Sequence, residues 1–211
     1  MGRKNSTAGI ILNVIMVILA VTGTVRMLTG SPTEGNLHAS GIGNFKFYTV
    51  LSNVFCGIVA LIYLVLVILK KNADKIRVLK LAALCGVVIT FCVVAFMFGP
   101  LYGYPRFYKG GNLYFHLLLP IAATVEFLVV KRAKMPFIYT VFAAVPTLIY
   151  GIGYTLNILI NGIGGPWPDS NDFYAFLNWG WGGGIAILIA VSLLSFGIAC
   201  IFRAVSNRRS K

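Results

Sequence analysis

The stretch Phe47-Tyr48-Thr49-Val50-Leu51-Ser52-Asn53 opens an apolar run that continues to about residue 69. A run of about 20 apolar residues is the length that an α-helix needs to cross a lipid bilayer. The stretch therefore predicts the start of a membrane-spanning helix. It also places a hydroxyl group and an amide group, those of Thr49 and Asn53, on one face of that helix, because the two residues are four positions apart.

Further apolar runs of similar length give the whole chain the pattern of an all-α polytopic membrane protein. The chain is 58% hydrophobic and 11% charged, whereas a soluble domain carries about 25% charged residues. The alternation of polar and apolar residues that marks a membrane β-barrel is absent. We predict one domain, residues 1–211, with six transmembrane helices at about 7–28, 47–69, 78–99, 112–130, 137–160 and 176–202. Gly99-Pro100 is expected to end the third helix.

The basic residues are divided unequally between the two sides that these helices define. Fourteen of the 18 Lys and Arg residues fall in the N-terminus, the second and fourth connections and the C-terminal tail. The positive-inside rule therefore predicts that both termini lie in the cytoplasm, and we expect a multi-pass protein of the cell membrane. Membrane topology accounts for the net charge of +13, so nucleic acid is not predicted as a partner.

A histidine in the fourth segment lies close to the predicted depth of Thr49. Thr49 is expected ~3–5 Å and His116 ~6 Å inside the outer face, at about 1.5 Å per helical residue. An imidazole can take the proton of a hydroxyl group, whose oxygen then attacks an ester carbonyl. The structural alternatives are a threonine hydroxyl bonded to its own helix and an Asn53 amide that joins two helices.

Further polar side chains near the same face are candidates to bind substrate or an oxyanion. These candidates are Ser52, Asn53, Asn112, Tyr154, Asn157 and the indole groups of Trp179 and Trp181. Asp169 or Asp172 of the last outer loop is a candidate to orient the histidine.

Two charged residues fall within or at the end of apolar segments. Glu126 is expected ~15 Å deeper than His116, either paired with Lys131 or a loop lysine, or acting as a proton or cation site. Arg26 is expected to extend to the outer interface. With one histidine inside the apolar segments and no cluster of ligands, no metal and no cofactor are predicted.

The residues from Lys46 to Leu51, with His116-Leu117-Leu118-Leu119-Pro120 and Glu126 after them, resemble the androgen-induced/androgen-dependent family of multi-pass membrane proteins. Members of that family are threonine hydrolases of fatty acid esters of hydroxy fatty acids. The resemblance implies Thr49 as the nucleophile and His116 as its partner. The chain is also similar to a related bacterial integral-membrane family, whose Thr-x-x-Ser-Asn run fits the stretch around Asn53 better.

Three hypotheses follow for the function. The first is an intramembrane enzyme that hydrolyses a fatty-acyl ester of a membrane lipid near the outer leaflet. The second is a small proton-coupled transporter, based on Glu126, Arg26, His116 and a fifth helix bent at Pro146. The third is a lipid-binding membrane protein without catalytic activity.

Overall fold

The computed structural model describes residues 7–30, 41–166 and 169–210. These residues form six helical segments that are long and apolar enough to cross a membrane. The segments are α1 (Thr7–Thr29), α2 (Tyr48–Ile68), α3 (Ala73–Tyr102), α4 (Gly110–Val129), α5 (Ile138–Asn161) and α6 (Phe176–Arg209). No strand occurs in the described ranges, so the predicted all-α architecture with six spans is confirmed.

The predicted ends are wrong for the third and sixth segments. The α-helix of α3 begins at Arg77, close to the predicted 78, after a 3-10 turn at Ala73–Ile76, but the segment runs past Gly99-Pro100 to Tyr102. Pro100 does not end the segment because it occupies the first turn of the helical stretch Gly99–Tyr102, where a missing N–H group is tolerated. α6 extends to Arg209 rather than to 202, and basic side chains in its last turn favour a helix C-terminus.

Two π-helical turns precede two prolines. In α3 the π turn spans Val94–Phe98 before Pro100, and in α4 it spans Tyr114–Leu118 before Pro120. A proline has no N–H group to donate to the carbonyl four residues earlier, and its ring crowds that carbonyl. The wider π turn accommodates the proline without ending the segment.

The third segment lies at the centre of the bundle. α3 packs against α2, α4, α5 and α6, while α1 packs against α2 and α4. Residues 80–87 of α3 are all buried, whereas the outer helices expose large apolar side chains such as Ile18, Ile149 and Leu193. This pattern is expected when one helix is surrounded by protein and its neighbours face lipid.

The two ends of the bundle differ in composition. The basic end comprises the start of α1, α3 and α5 and the end of α2, α4 and α6, and it carries eleven described Lys and Arg residues against two acids, Asp74 and Glu126. The opposite end, here called the aromatic end, carries the predicted site at the start of α2 and α4. That the basic end faces the cytoplasm stays a prediction.

Candidate functional site at the aromatic end

Thr49 lies in the first turn of α2 with its hydroxyl group free. Its backbone carbonyl accepts hydrogen bonds from Ser52 Oγ at 3.2 Å and Asn53 Nδ2 at 2.7 Å. The Thr49 hydroxyl makes no hydrogen bond within the described residues, although a threonine in a helix commonly bonds back to its own backbone. By contrast, the hydroxyl of Thr24 in α1 donates to the Ala20 carbonyl at 2.7 Å.

His116 lies in the π turn of α4 and is 4% exposed. Its ring packs edge-to-face against the Phe107 ring, with 6.2 Å between centroids. One ring nitrogen, Nδ1, is buried and has no hydrogen-bond partner among the described residues. The position of the imidazole therefore depends on Pro120, whose missing N–H group favours the π turn that contains His116.

Two asparagines at the aromatic end also carry buried acceptors without partners. They are Asn53, which is 0% exposed, and Asn112, which is 3% exposed, and in each case the unpaired atom is Oδ1. A buried polar atom without a partner costs about 1–3 kcal/mol, so each such group needs an explanation. Together with His116 Nδ1, they give the aromatic end three buried polar atoms without a hydrogen-bond partner among the described residues.

A further unpartnered acceptor at this end belongs to Asn44, which the sequence analysis did not single out. Asn44 is 0% exposed, and its Nδ2 donates to the Met27 carbonyl at 2.7 Å while its Oδ1 has no partner. The residue lies in the 3-10 helix Gly41–Lys46 that leads into α2. Its position in a polar loop gave no indication that it would be buried.

The start of α2 and the π turn of α4 pack against each other. Val50 and Phe115 belong to one buried apolar cluster, but no hydrogen bond joins Thr49 to His116 within the described structure. Thr49 is the second residue of α2 and His116 the seventh of α4, which places them ~1.5 Å and ~9 Å from the starts of their helices. Asn53, at ~7–8 Å, is therefore closer in depth to His116 than Thr49 is.

Tyrosines of α5 and of the loop between α5 and α6 make hydrogen bonds to the start of α2. The Tyr174 hydroxyl accepts a hydrogen bond from the Tyr48 backbone N–H at 2.8 Å, and the Tyr150 hydroxyl donates to the Lys46 carbonyl at 2.6 Å. Burial raises the pKa of Tyr174 to about 12, so its hydroxyl stays neutral at physiological pH. Tyr174 satisfies one of the backbone donors that every helix start leaves unpaired.

A second hydrogen-bond chain connects the same turn to the last two helices. The Tyr48 hydroxyl lies 2.7 Å from Thr147 Oγ1 in α5, which lies 3.1 Å from Ser195 Oγ in α6. These contacts and the Tyr174 contact fix the orientation of the turn that carries Thr49.

The acidic residues of the last loop serve that loop rather than the histidine. Asp172 accepts from the Tyr154 hydroxyl and from the backbone N–H groups of Phe176 and Leu177, both at 3.0 Å. Asp172 thus caps the start of α6. The Tyr154 hydroxyl is bound to Asp172, so it makes no hydrogen bond to a described residue of α4. Asp169 is exposed.

The other predicted binding residues of α5 and α6 lie apart from α4. Asn157 Nδ2 donates to Asn171 Oδ1 of the last loop at 3.1 Å. Trp179 is 66% exposed at the start of α6 and Trp181 is 44% exposed. The structure thus groups Thr49, Ser52 and Asn53 on α2, and it assigns the remaining candidates to α4 or to the α5–α6 side.

Glu126 is the centre of a separate buried cluster at the basic end. Arg132 donates to both of its carboxylate oxygens, at 2.8 and 2.7 Å, and Lys80 Nζ lies 3.4 Å from Oε1. Lys131, one of the expected alternative partners, does not pair with Glu126, because Lys131 is exposed and the carboxylate is bound by Arg132 and Lys80. Arg26 is exposed at the end of α1, and its extension to the outer interface stays a prediction.

Asn13 and Lys80 complete this cluster, and the sequence analysis did not assign them to it. Asn13 Nδ2 donates to Glu126 Oε1 at 3.0 Å, and Lys80 Nζ donates to Asn13 Oδ1. Asn13 lies ~9 Å from the start of α1, and Lys80 lies ~10–11 Å from the start of α3. The similar depth of the two residues inside apolar segments could have indicated that they meet, since a polar residue there needs a partner.

Comparison of the chain with protein-family models, with curated proteins and with solved structures found no match. Within the described ranges, no group of His, Cys, Asp and Glu side chains is arranged to hold a metal ion. The functional assignment therefore rests on the residues themselves.

Proposed function

We propose that this integral membrane protein hydrolyses a fatty-acyl ester of a membrane lipid, with Thr49 as the nucleophile and His116 as the general base. The observation that carries the proposal is His116 Nδ1, a buried ring nitrogen without a hydrogen-bond partner. An intramembrane histidine is costly, and one with a free acceptor nitrogen can take a proton from a hydroxyl group or from water.

The reaction divides into two steps of acyl transfer. His116 takes the Thr49 hydroxyl proton as Oγ1 attacks the ester carbonyl, and the imidazolium then protonates the leaving alcohol, which produces an acyl-threonine. In the second step His116 takes a proton from water, whose oxygen attacks the acyl-threonine and releases the fatty acid. The histidine returns its proton to Thr49 Oγ1, so both side chains are regenerated.

Asn53 is the best placed group to stabilise the developing oxyanion. Its Nδ2 donates one hydrogen to the Thr49 carbonyl at 2.7 Å, and its second hydrogen is free to donate. Because Thr49 and His116 are not hydrogen-bonded at rest, proton transfer requires a bridging water or a shift of the first turn of α2 when substrate binds. Catalytic hydrogen bonds commonly tighten only in the substrate complex.

The positive-inside distribution supports a position of this site in the outer leaflet. The substrate would be a lipid ester that approaches within the membrane, and water would approach from the outer face. Ser52, Asn112, Tyr154, Asn157 and Trp179 remain candidates for substrate binding at this end.

Hydrolysis by the purified protein of a panel of long-chain lipid esters tests the proposal. We expect His116→Ala to lower turnover about 10²–10⁴-fold and Thr49→Ala to abolish the acyl-enzyme, with unchanged thermal stability in detergent. The matched controls are Thr24→Ala, whose hydroxyl is bonded within its own helix, and a substitution of the other histidine, His38→Ala, which lies outside the described residues. Full turnover by Thr49→Ala would refute the assignment.

The other two hypotheses predict different results. A proton-coupled carrier that uses Glu126 requires a carboxylate able to exchange protons, whereas this carboxylate is held by Arg132 and Lys80. Flux into proteoliposomes that is lost in Glu126→Gln and kept in Thr49→Ala would favour the carrier. Lipid that copurifies and is never turned over would favour a binding protein.

A further inference from the structure

A cavity opens at the basic end between the end of α4 and the end of α6. Its inner volume is about 10 Å³, room for about one water molecule, and most of the about 220 Å³ in front of its lining is open to solvent. Its apolar wall is formed by Phe127, Leu128, Val130 and Val205. Its polar lining is formed by Lys131, Arg132, Ser206 and Arg209. The cavity is separate from the site at the aromatic end.

Two cations of this lining have no anionic partner. Lys131 and Arg209 are exposed, and neither is in an ion pair with a described residue. The two acids described at this end are both engaged, Glu126 by Arg132 at 2.7 Å and Asp74 by the Ala133 backbone N–H at 3.0 Å. The cavity therefore has a net positive charge.

The frame of the cavity is held by contacts between the two chain segments that form it. Ser210 Oγ donates to the Arg132 carbonyl at 2.8 Å, which ties the end of the chain to the segment after α4. The Phe127 and Phe202 rings pack edge-to-face, with 5.8 Å between centroids. The Arg132 guanidinium lies over the Phe127 ring at 4.5 Å. The two chain segments that carry the free cations are thus joined to each other.

The adjacent surface of α4 is apolar and faces away from the protein. Ile121, Val125 and Val129 are 48%, 41% and 47% exposed. They follow one another at intervals of four residues, so they form one stripe along the helix that leads to Lys131. An apolar helix surface that ends near two cations, here Lys131 and Arg209, suits a lipid with an anionic headgroup.

We propose that the open mouth of this cavity binds the phosphate headgroup of an anionic membrane phospholipid, with Lys131 and Arg209 as the charged ligands and the α4 stripe as the surface for an acyl chain. The proposal does not rest on the hydrolase assignment, since it uses the opposite end of the bundle. Arg132 lines the cavity but keeps its guanidinium on Glu126, so it supports the site rather than binding the phosphate.

The test compares two double variants that remove the same charge from the basic end. Lys131→Gln/Arg209→Gln changes the cavity, while Lys70→Gln/Lys71→Gln changes two exposed lysines at the end of α2 that do not line it. Binding of phosphatidylglycerol and of phosphatidylcholine to the purified full-length protein in detergent is measured by native mass spectrometry. Free glycerol phosphate is added as a competitor in a separate arm.

We expect the wild type to prefer phosphatidylglycerol and the cavity variant to bind it about 10–30-fold more weakly, since each cation near a lipid surface contributes about fivefold. The α2 variant should bind as the wild type does. Equal weakening of both variants, or of neither, would overturn the proposal, as would equal binding of the two lipids. Competition by glycerol phosphate as strong as that by the lipid would show a site for soluble phosphate instead.

Discussion

One terminal nitrogen of Arg132 donates to both carboxylate oxygens of Glu126, at 2.8 and 2.7 Å, in a site where Glu126 is 1% exposed. Lys80 adds a second positive charge, 3.4 Å from the same carboxylate. A single buried acid therefore compensates two buried cations, contributed by α3 and by the segment after α4.

Removal of this carboxylate should destabilise the protein strongly. We expect Glu126→Gln to lower the free energy of unfolding by about 3–5 kcal/mol, because Lys80 and Arg132 would remain buried without a counter-charge. Thermal unfolding in detergent measures the change, with the exposed Asp169→Asn as a control for loss of an acid. The double variant Glu126→Gln/Lys80→Met should recover part of the loss; a Glu126→Gln protein as stable as the wild type would contradict the structural role.

The Tyr174 hydroxyl should be important for the start of α2. Tyr174→Phe leaves the Tyr48 backbone N–H, now bonded at 2.8 Å, without an acceptor, at a cost of about 1–3 kcal/mol. The measurement is thermal stability at neutral pH. Tyr102→Phe is the matched control, since Tyr102 is 61% exposed; an equal effect of the two substitutions would rule out a specific role for the Tyr174 contact.

The same tyrosine should make stability depend on alkaline pH. Its pKa is raised from 10.0 to about 12 by burial, so the folded protein resists ionisation of this group more than the unfolded chain does. Its contribution to stability is complete below pH 10, declines above that and is lost as the pH passes 12. The difference in unfolding temperature between wild type and Tyr174→Phe should therefore shrink between pH 9.5 and pH 12, and a constant difference would be inconsistent with this coupling.

Close packing of α1 against α2 depends on Gly57. A Cβ atom at this position would lie 2.5 Å from Ala20 Cβ, so Gly57→Ala must separate two helices and should cost about 1–3 kcal/mol. Gly197 in α6 offers the matched control, because a Cβ atom there would meet nothing within 4 Å. Gly197→Ala should be neutral or slightly stabilising, and similar unfolding temperatures for the two variants would argue against this contact.

Pro120 should control activity through the position of His116. In Pro120→Ala the restored N–H group can donate to the His116 carbonyl and convert the π turn into an α turn, which would rotate the imidazole relative to α2. On the proposed mechanism, ester hydrolysis should fall at least about tenfold while thermal stability changes little. Pro146→Ala in α5 is the comparison, and unchanged hydrolysis in Pro120→Ala would separate the π turn from catalysis.

Part of the site could be predicted because it depends on short spacings. Thr49 and Asn53 share a helical face by their separation alone, and the Asn53 amide does bond to the Thr49 carbonyl. The role of Asp172 could not be predicted in this way. It caps α6 rather than orienting His116, and that choice depends on how the last loop folds over α5.

The sequence by itself determined the six spans and the accumulation of positive charge at one end, because the length of an apolar run and the placement of Lys and Arg are local properties of the chain. Tertiary structure decided which polar groups meet. Tyr48 and Tyr174 are 126 residues apart, and Asn13 and Glu126 are 113 apart. Such contacts depend on the rotation and neighbours of each helix, which packing around α3 sets and which no local pattern encodes.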